Sequence, residues 1–162
     1  MPNNALIRDM IVEIKLTQGK VALIDDVDIN IVNQYQWSYD PKGYAMTNGK
    51  DRRTIRMHRL IMLIPEGMEI DHIDGNGLNN VRNNLRIVTH AENMLNRKLN
   101  TNNSSGYKAG TWKADPKKWA AQIQFDGKNH VLGYYEDKLD AAKAYNIAAI
   151  KYHNVHARLN KI

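Results

Sequence analysis

The chain contains no cysteine among its 162 residues. That excludes a disulfide framework, a thiol nucleophile and any cysteine-ligated zinc or iron–sulfur centre, and it fits a reducing compartment. Long apolar runs are missing as well. The longest comparable stretch, residues 60–65, falls far short of the roughly 18 residues that a membrane span requires. The opening Met-Pro-Asn-Asn-Ala-Leu-Ile-Arg-Asp has neither the basic start nor the apolar core of an export signal, so a cytoplasmic protein is expected. Acid is in short supply: 17 Asp and Glu face 23 Lys and Arg, a net charge of +6. The resulting pI of about 9.5 favours a polyanionic partner, nucleic acid before an acidic membrane. No internal repeat and no heptad seam are present, so a monomer is expected, with a dimer left open. With 43% hydrophobic and 25% charged residues the composition is that of a folded protein, one domain or two small modules.

Residues 1–57 read as a small mixed region. Ile11-Val12-Glu13-Ile14-Lys15-Leu16 alternates as a half-buried strand, Thr17-Gln18-Gly19-Lys20 makes a turn, and Val21-Ala22-Leu23-Ile24 is a short buried strand. From Asp26, the spacing of Val27, Ile31, Val32 and Tyr35 predicts a short amphipathic helix. Residues 44–47 and 54–57 flank Asn48-Gly49 as a hairpin. Nothing in this region points to chemistry; it reads as a packing domain that could add DNA contacts.

The character changes over residues 58–98. Asn76, Asn79, Asn80, Asn83, Asn84 and Asn93 share this stretch with Asp71, His72, Asp74 and His90. Asparagine fills helix and strand interiors poorly, because its side chain competes for backbone hydrogen bonds. A long loop is therefore expected, held by side-chain-to-backbone bonds or forming a polar site. Leu85-Arg86-Ile87-Val88 is a strand, and Thr89 with Glu92 three residues on is a capping box that opens a helix at about His90. A strand, loop, strand and helix in that order can bring Asn93 back beside Asp71. A carboxylate and an amide oxygen are hard ligands suited to Mg²⁺, and a neutral His72 beside them could take a proton from an attacking water. Equally, the residues alone fit an Asn-rich loop stapled to itself, with His72 merely buried.

Residues 58–98 closely resemble the HNH nucleases, the ββα-metal fold, particularly the phage and homing members. The resemblance is carried by Met57-His58-Arg59-Leu60, Ile70-Asp71-His72-Ile73-Asp74-Gly75-Asn76, Asn79-Asn80, Asn83-Asn84-Leu85-Arg86 and Glu92-Asn93. It implies that His72 is the general base and that Asp71 and Asn93 ligate one divalent metal, Mg²⁺ or Mn²⁺, per active site. It implies too that Asn84 braces the loop that orients the histidine. Many members carry histidine at the helix ligand position, where this chain has Asn93; a neutral amide oxygen favours Mg²⁺ or Mn²⁺ over Zn²⁺ or Ni²⁺. His90 reads as a solvent-side helix residue, His58 as packing or a DNA contact, and Asp74 as a brace.

Residues 99–106, Leu-Asn-Thr-Asn-Asn-Ser-Ser-Gly, read as a linker. Residues 104–160 resemble the Apetala/ethylene-response-factor DNA-binding domain, and the module is expected over residues 107–162. The matching runs are Ser105-Gly106-Tyr107-Lys108, Trp119-Ala120-Ala121-Gln122-Ile123, Leu132-Gly133-Tyr134-Tyr135, the Ala141–Ala149 segment and Ala157-Arg158-Leu159-Asn160. Three short strands with turns at Asp115-Pro116 and Asp126-Gly127 are expected, then a helix capped by Asp137 with Ala142, Tyr145, Ala149 and Tyr152 on one face. The resemblance implies that the sheet lies in the major groove of double-stranded DNA, with Lys108, Trp112, Lys113, Gln122, Gln124 and Asn129 as contacts. Where the plant domains are rich in arginine this chain has glutamine and asparagine, so their base preference does not carry over.

The expected protein is thus α+β: a small mixed N-terminal region, a ββα-metal core, then a three-stranded antiparallel sheet packed on one helix. Its expected activity is metal-dependent, homing-type nicking of DNA by a phage-encoded protein acting inside a bacterial host. A DNA-binding regulator with a vestigial nuclease core is the alternative. The target sequence, the cleavage position and the biological role are not written in the chain.

Overall fold

The computed structural model describes residues 10–99, 103–108 and 110–162. These form two compact units, one ending at His90 and one beginning at Ala91. The architecture is α+β, with several small antiparallel sheets and a C-terminal three-stranded sheet packed on a helix.

The first unit opens with an antiparallel hairpin of β1 (Ile11–Lys15) and β2 (Val21–Asp25), with Ile11 opposite Asp25 and Lys15 opposite Val21. A 3₁₀ turn over Asp26–Asp28 leads into α1 (Ile29–Val32). The helix expected from Asp26 is therefore a single α-turn behind a 3₁₀ start. Val32 is buried, whereas Val27 is 62% exposed. The reason lies at Asp28, whose carboxylate is held inside the protein by Arg82 and so turns Val27 outward.

The expected hairpin is present as β4 (Tyr44–Asn48) and β5 (Thr54–Arg56). A third strand that the periodicity does not announce, β3 (Ser38–Asp40), pairs with the other side of β4. Met57, expected to end a strand, instead begins α2 (Met57–Ile61), where it and Ile61 are four residues apart and both buried. Then come β6 (Glu69–His72), the Asn-rich loop, β7 (Leu85–Val88) and α3 (His90–Leu95). In the β6–β7 pair Asp71 stands opposite Arg86 and His72 opposite Leu85. Leu16, Ala22, Ile24, Val32, Trp37, Ala45, Met57, Ile61, Ile70 and Leu85 share one core. The N-terminal residues thus pack with the segment that carries His72.

In the second unit, β8 (Gly110–Lys113), β9 (Lys118–Phe125) and β10 (Lys128–Tyr135) form an antiparallel sheet with β9 in the middle. Asp126 and Gly127 both take left-handed φ, 51° and 69°, which is why an Asp-Gly pair makes this two-residue turn. β8 does not reach back to Tyr107. Asn103 Nδ2 and Ser105 Oγ both donate to the Tyr107 carbonyl, which takes it out of any strand ladder. Of the expected linker, residues 100–102 lie outside the described residues, while Ser105 is buried.

Helix α4 (Lys138–His153) is capped by Asp137, whose Oδ1 accepts from Leu139 N at 2.7 Å. Ala141, Ala142, Tyr145, Ala148 and Ala149 form its buried stripe, and the small alanines allow close approach to Ile123. Tyr152 continues the expected face by stacking on Phe125 at 4.1 Å. Asn146 and Asn160 exchange side-chain and backbone hydrogen bonds, and Asn160 Oδ1 accepts from Lys108 N at 2.6 Å, closing the unit on itself. No described helix is long and apolar enough to cross a membrane.

Candidate active site

His72 ends β6 with 5% of its surface exposed. Its Nε2 lies 3.2 Å from Asn80 Oδ1. Asn80 is fully buried, and its Nδ2 donates to the Leu78 carbonyl at 3.2 Å and towards Met57 Sδ at 3.4 Å. Those acceptors fix which end of the amide is which. Oxygen therefore faces the histidine, Nε2 carries the proton, and Nδ1 is the basic nitrogen. Burial pushes the His72 imidazole below its ordinary value. The Asn80 hydrogen bond and the carboxylates of Asp74 and Asp71 act the other way without cancelling it. The ring is neutral at neutral pH, as a proton acceptor must be.

Beside it the rings of His58 and Tyr44 complete an aromatic cluster. His58 and His72 meet edge to face at 5.0 Å, and Tyr44 lies 5.4 Å from His58 and 5.9 Å from His72. Burial, followed by the charges of His72, Arg56 and Arg59, pushes His58 down to about 3. Its buried Nδ1 has no hydrogen-bond partner among the described residues. His58 is thus a packed neutral ring.

The loop after β6 is held by its own side chains. Asp74 accepts from Asn76 N at 2.7 Å, Asn79 Nδ2 at 2.8 Å and Asn84 Nδ2 at 3.0 Å. Burial raises the Asp74 carboxyl, but these three hydrogen bonds and the neighbouring His72 outweigh it and hold the group below its ordinary value. Asn84 spans the loop: Oδ1 accepts from Asp74 N and Nδ2 also donates to the Asn79 carbonyl. Gly77 presses against the rest of the unit, since a Cβ there would collide with the Gly43 carbonyl oxygen and the Tyr44 ring.

The N-terminal hairpin grips this loop from outside. Leu23 N donates to the Leu78 carbonyl at 2.8 Å and Asn80 N to the Leu23 carbonyl at 2.7 Å. Asp25 Oδ2 accepts from Arg82 N at 2.6 Å, and Arg82 forms a two-pronged ion pair with Asp28, Nε to Oδ2 at 2.9 Å and Nη2 to Oδ1 at 2.6 Å. Sequence reasoning missed Asn80, Arg82, Asp25 and Asp28. The only signal was the pair of aspartates in a buried turn, and its partner lies 54 residues away.

Asp71 is buried, and Arg86, directly across the strand pair, donates from Nε at 2.9 Å and Nη2 at 2.6 Å to its Oδ2. A carboxylate oxygen is a hard anionic ligand of the kind that suits Mg²⁺ or Mn²⁺. Among the described residues no three His, Asp or Glu side chains cluster as a metal site. A carboxylate–amide pair is not such a cluster. Asn93 lies on α3, which continues into the second unit. His90 pairs with Glu69 at 2.9 Å and its side chain is 75% exposed.

In the second unit the strand register puts Asn129 opposite Gln124 and Val131 opposite Gln122, and Lys113 opposite Lys118. By alternation along β9, Lys113, Gln122, Gln124 and Asn129 share one face. Trp112 stands opposite Trp119 on the other face, their rings 5.4 Å apart. Lys108 is placed differently. Its Nζ donates to the Leu95 carbonyl at 2.6 Å, and burial, with a smaller contribution from Arg158, lowers it to about 8. It lines a cavity of about 200 Å³ with Met94, Gln122, Tyr145 and His153.

Comparison with known proteins points one way. The HNH endonuclease family matches residues 57–95, from the first residue of α2 to the last of α3. An uncharacterized HNH endonuclease of Acanthamoeba polyphaga mimivirus is 30% identical over 138 residues, spanning 82% of this chain and 70% of the viral protein. Protein 3.8 of Escherichia phage T7 is 42% identical over 67 residues, 41% of this chain and 55% of its own. YosQ of Bacillus subtilis (strain 168), named as an SPbeta prophage-derived HNH homing endonuclease, is 44% identical over 64 residues, 34% of this chain and 37% of its own. No solved structure matches.

Proposed function

The chain belongs to the HNH endonuclease family, and on that premise we propose that it hydrolyses phosphodiester bonds of double-stranded DNA with His72 as the general base. The observation that carries this is the Asn80–His72 hydrogen bond, which presents a neutral imidazole with its basic nitrogen at Nδ1. His72 removes a proton from water as the water oxygen bonds to phosphorus. The bond to the leaving oxygen breaks, and that oxygen takes up a proton. Asn80 holds the tautomer, while Asp74 and Asn84 hold the loop. Asp71 and Asn93 would hold one Mg²⁺ or Mn²⁺, which would supply positive charge to the phosphate and its leaving oxygen.

One site of this kind attacks one strand, so a monomer nicks. The C-terminal sheet presents Lys113, Gln122, Gln124 and Asn129 to DNA; glutamine can pair bidentately with adenine and lysine suits phosphate. Trp112 packs beside Trp119 on the other face of the sheet. Lys108 supports the module through Leu95.

The test is cleavage of supercoiled plasmid with Mg²⁺, Mn²⁺ or chelator by wild type, His72→Ala and Asn80→Ala. We expect nicked circles from wild type with either metal and none with chelator or His72→Ala. Asn80→Ala should cut about 10- to 100-fold more slowly, the usual loss when the group orienting a catalytic side chain goes. Binding without cleavage under every metal would sink the nuclease reading and favour a DNA-binding regulator.

A further inference from the structure

The positive charge of the chain is unevenly placed. Between residues 42 and 59 stand Lys42, Lys50, Arg52, Arg53, Arg56 and Arg59 against Asp51 alone, an excess of five in a chain whose net charge is +6. Five of the six lie from the tip of the β4–β5 hairpin to the first turn of α2. Lys50, Arg52, Arg53 and Arg59 are exposed.

The hairpin is built to hold them in place. Gly49 N donates to the Arg53 carbonyl and Arg52 N to the Gly49 carbonyl, both at 2.9 Å. Asp51, the single acid, accepts from Arg53 N at 3.1 Å and pairs with the exposed Arg53 guanidinium at 3.4 Å, so it serves the turn. At the other end Arg56 lies 4.9 Å over the Tyr44 ring, and Tyr44 packs against His58 and His72. One strand thus runs from the histidine cluster to a cationic tip. From Tyr44 to Asn48 is about 14 Å at 3.4 Å per residue, which matches roughly four base pairs of duplex.

Resting on the nuclease reading above, we propose that the β4–β5 hairpin is a second DNA-binding surface, separate from the C-terminal sheet. It clasps the phosphate backbone about four base pairs from the bond cut at His72. An acidic protein would satisfy the charge equally well, but nothing would then tie the cations to a strand whose base packs on His72. Backbone contacts position the duplex and carry no base preference of their own.

The experiment measures binding of the full chain to a short duplex, in chelator, as a function of salt. Wild type is compared with Lys50→Gln/Arg52→Gln/Arg53→Gln, and with Lys138→Gln/Lys143→Gln/Lys151→Gln on α4, which removes the same charge elsewhere. Each lost phosphate contact lowers the slope of log K against log salt by about 0.9. We expect the hairpin variant to lose about 2.7 from the slope on every sequence tried, and the α4 variant to keep the wild-type value. Arg59→Gln, on the helix, gives a second reading with a loss near 0.9, should the triple variant not fold. An unchanged slope in the hairpin variants, or an equal loss in the α4 variant, overturns the proposal and leaves the nuclease reading standing. A wild-type chain that binds no DNA overturns both.

Discussion

At the scale of single residues, two buried imidazoles lie together and are treated differently. His72 has a polar partner in Asn80; His58 has none at Nδ1 and sits between Tyr44 and His72. His58 therefore stays neutral in the fold down to about pH 3, whereas in the unfolded chain it takes a proton near its ordinary 6.5. Between those values the unfolded state binds more protons, so stability falls as pH falls, by about 1.4 kcal/mol per pH unit. By pH 4.5 the loss from His58 is roughly 3 kcal/mol. Asp74, held below its ordinary value, adds a loss of the same sign at more acid pH. Urea unfolding from pH 7 to 4.5 checks this. His58→Phe should flatten the profile over that range, and a variant as acid-sensitive as wild type would place the sensitivity elsewhere.

Elements were legible to different degrees, and the differences have physical causes. β1 repeats its burial at period 2 and α4 near 3.6, which local sequence displays. β3 is three half-buried residues, too short for any period to show. α3 stops at Leu95, where Lys108 Nζ takes the Leu95 carbonyl at its last turn. In the site, Asp71, His72 and Asn84 were named from a motif, but Asn80 could not be told apart from its asparagine neighbours. Which asparagine reaches His72 depends on how Leu23 grips the loop, a contact between residues 57 apart in the case of Asn80. The clamp formed by Asp25, Asp28 and Arg82 is equally non-local, and it gives the N-terminal hairpin its role. Asp28 is 1% exposed and Arg82 half-exposed, so Asp28→Asn should cost about 2 kcal/mol. Hydrogen exchange at the Asn80 and Leu23 amides should speed up, and nicking should slow. Arg82→Lys should behave like Asp28→Asn, since an ammonium cannot make the two-pronged pair. Unaltered exchange at those amides would mean that the loop holds itself.

For the molecule as a whole, separate cores permit separate tasks. One core surrounds Ile24, Met57 and Ile70; the other joins Ile123 to Tyr145 and Ala149. Gln122, Gln124 and Asn129 belong to neither core, so they can be exchanged without disturbing the fold of the first unit. Gln124 and Asn129 are exposed, and Gln122 faces the same way. If this face reads bases, Gln122→Ala/Gln124→Ala should erase sequence preference and spare chemistry. Each bidentate glutamine–adenine pair discriminates by about 1–3 kcal/mol, so selection among sites should fall by at least tenfold. The rate of nicking on a plasmid lacking the preferred site, and the salt dependence of binding, should stay at wild-type values, because neither glutamine carries charge. Deep sequencing of nicks on source DNA measures the first, and plasmid relaxation the second. A double variant that retains the wild-type pattern of nicks would move recognition off this sheet. Charge on the β4–β5 hairpin gives backbone affinity without base preference, so sequence choice would then have to come from the residues around His72 itself.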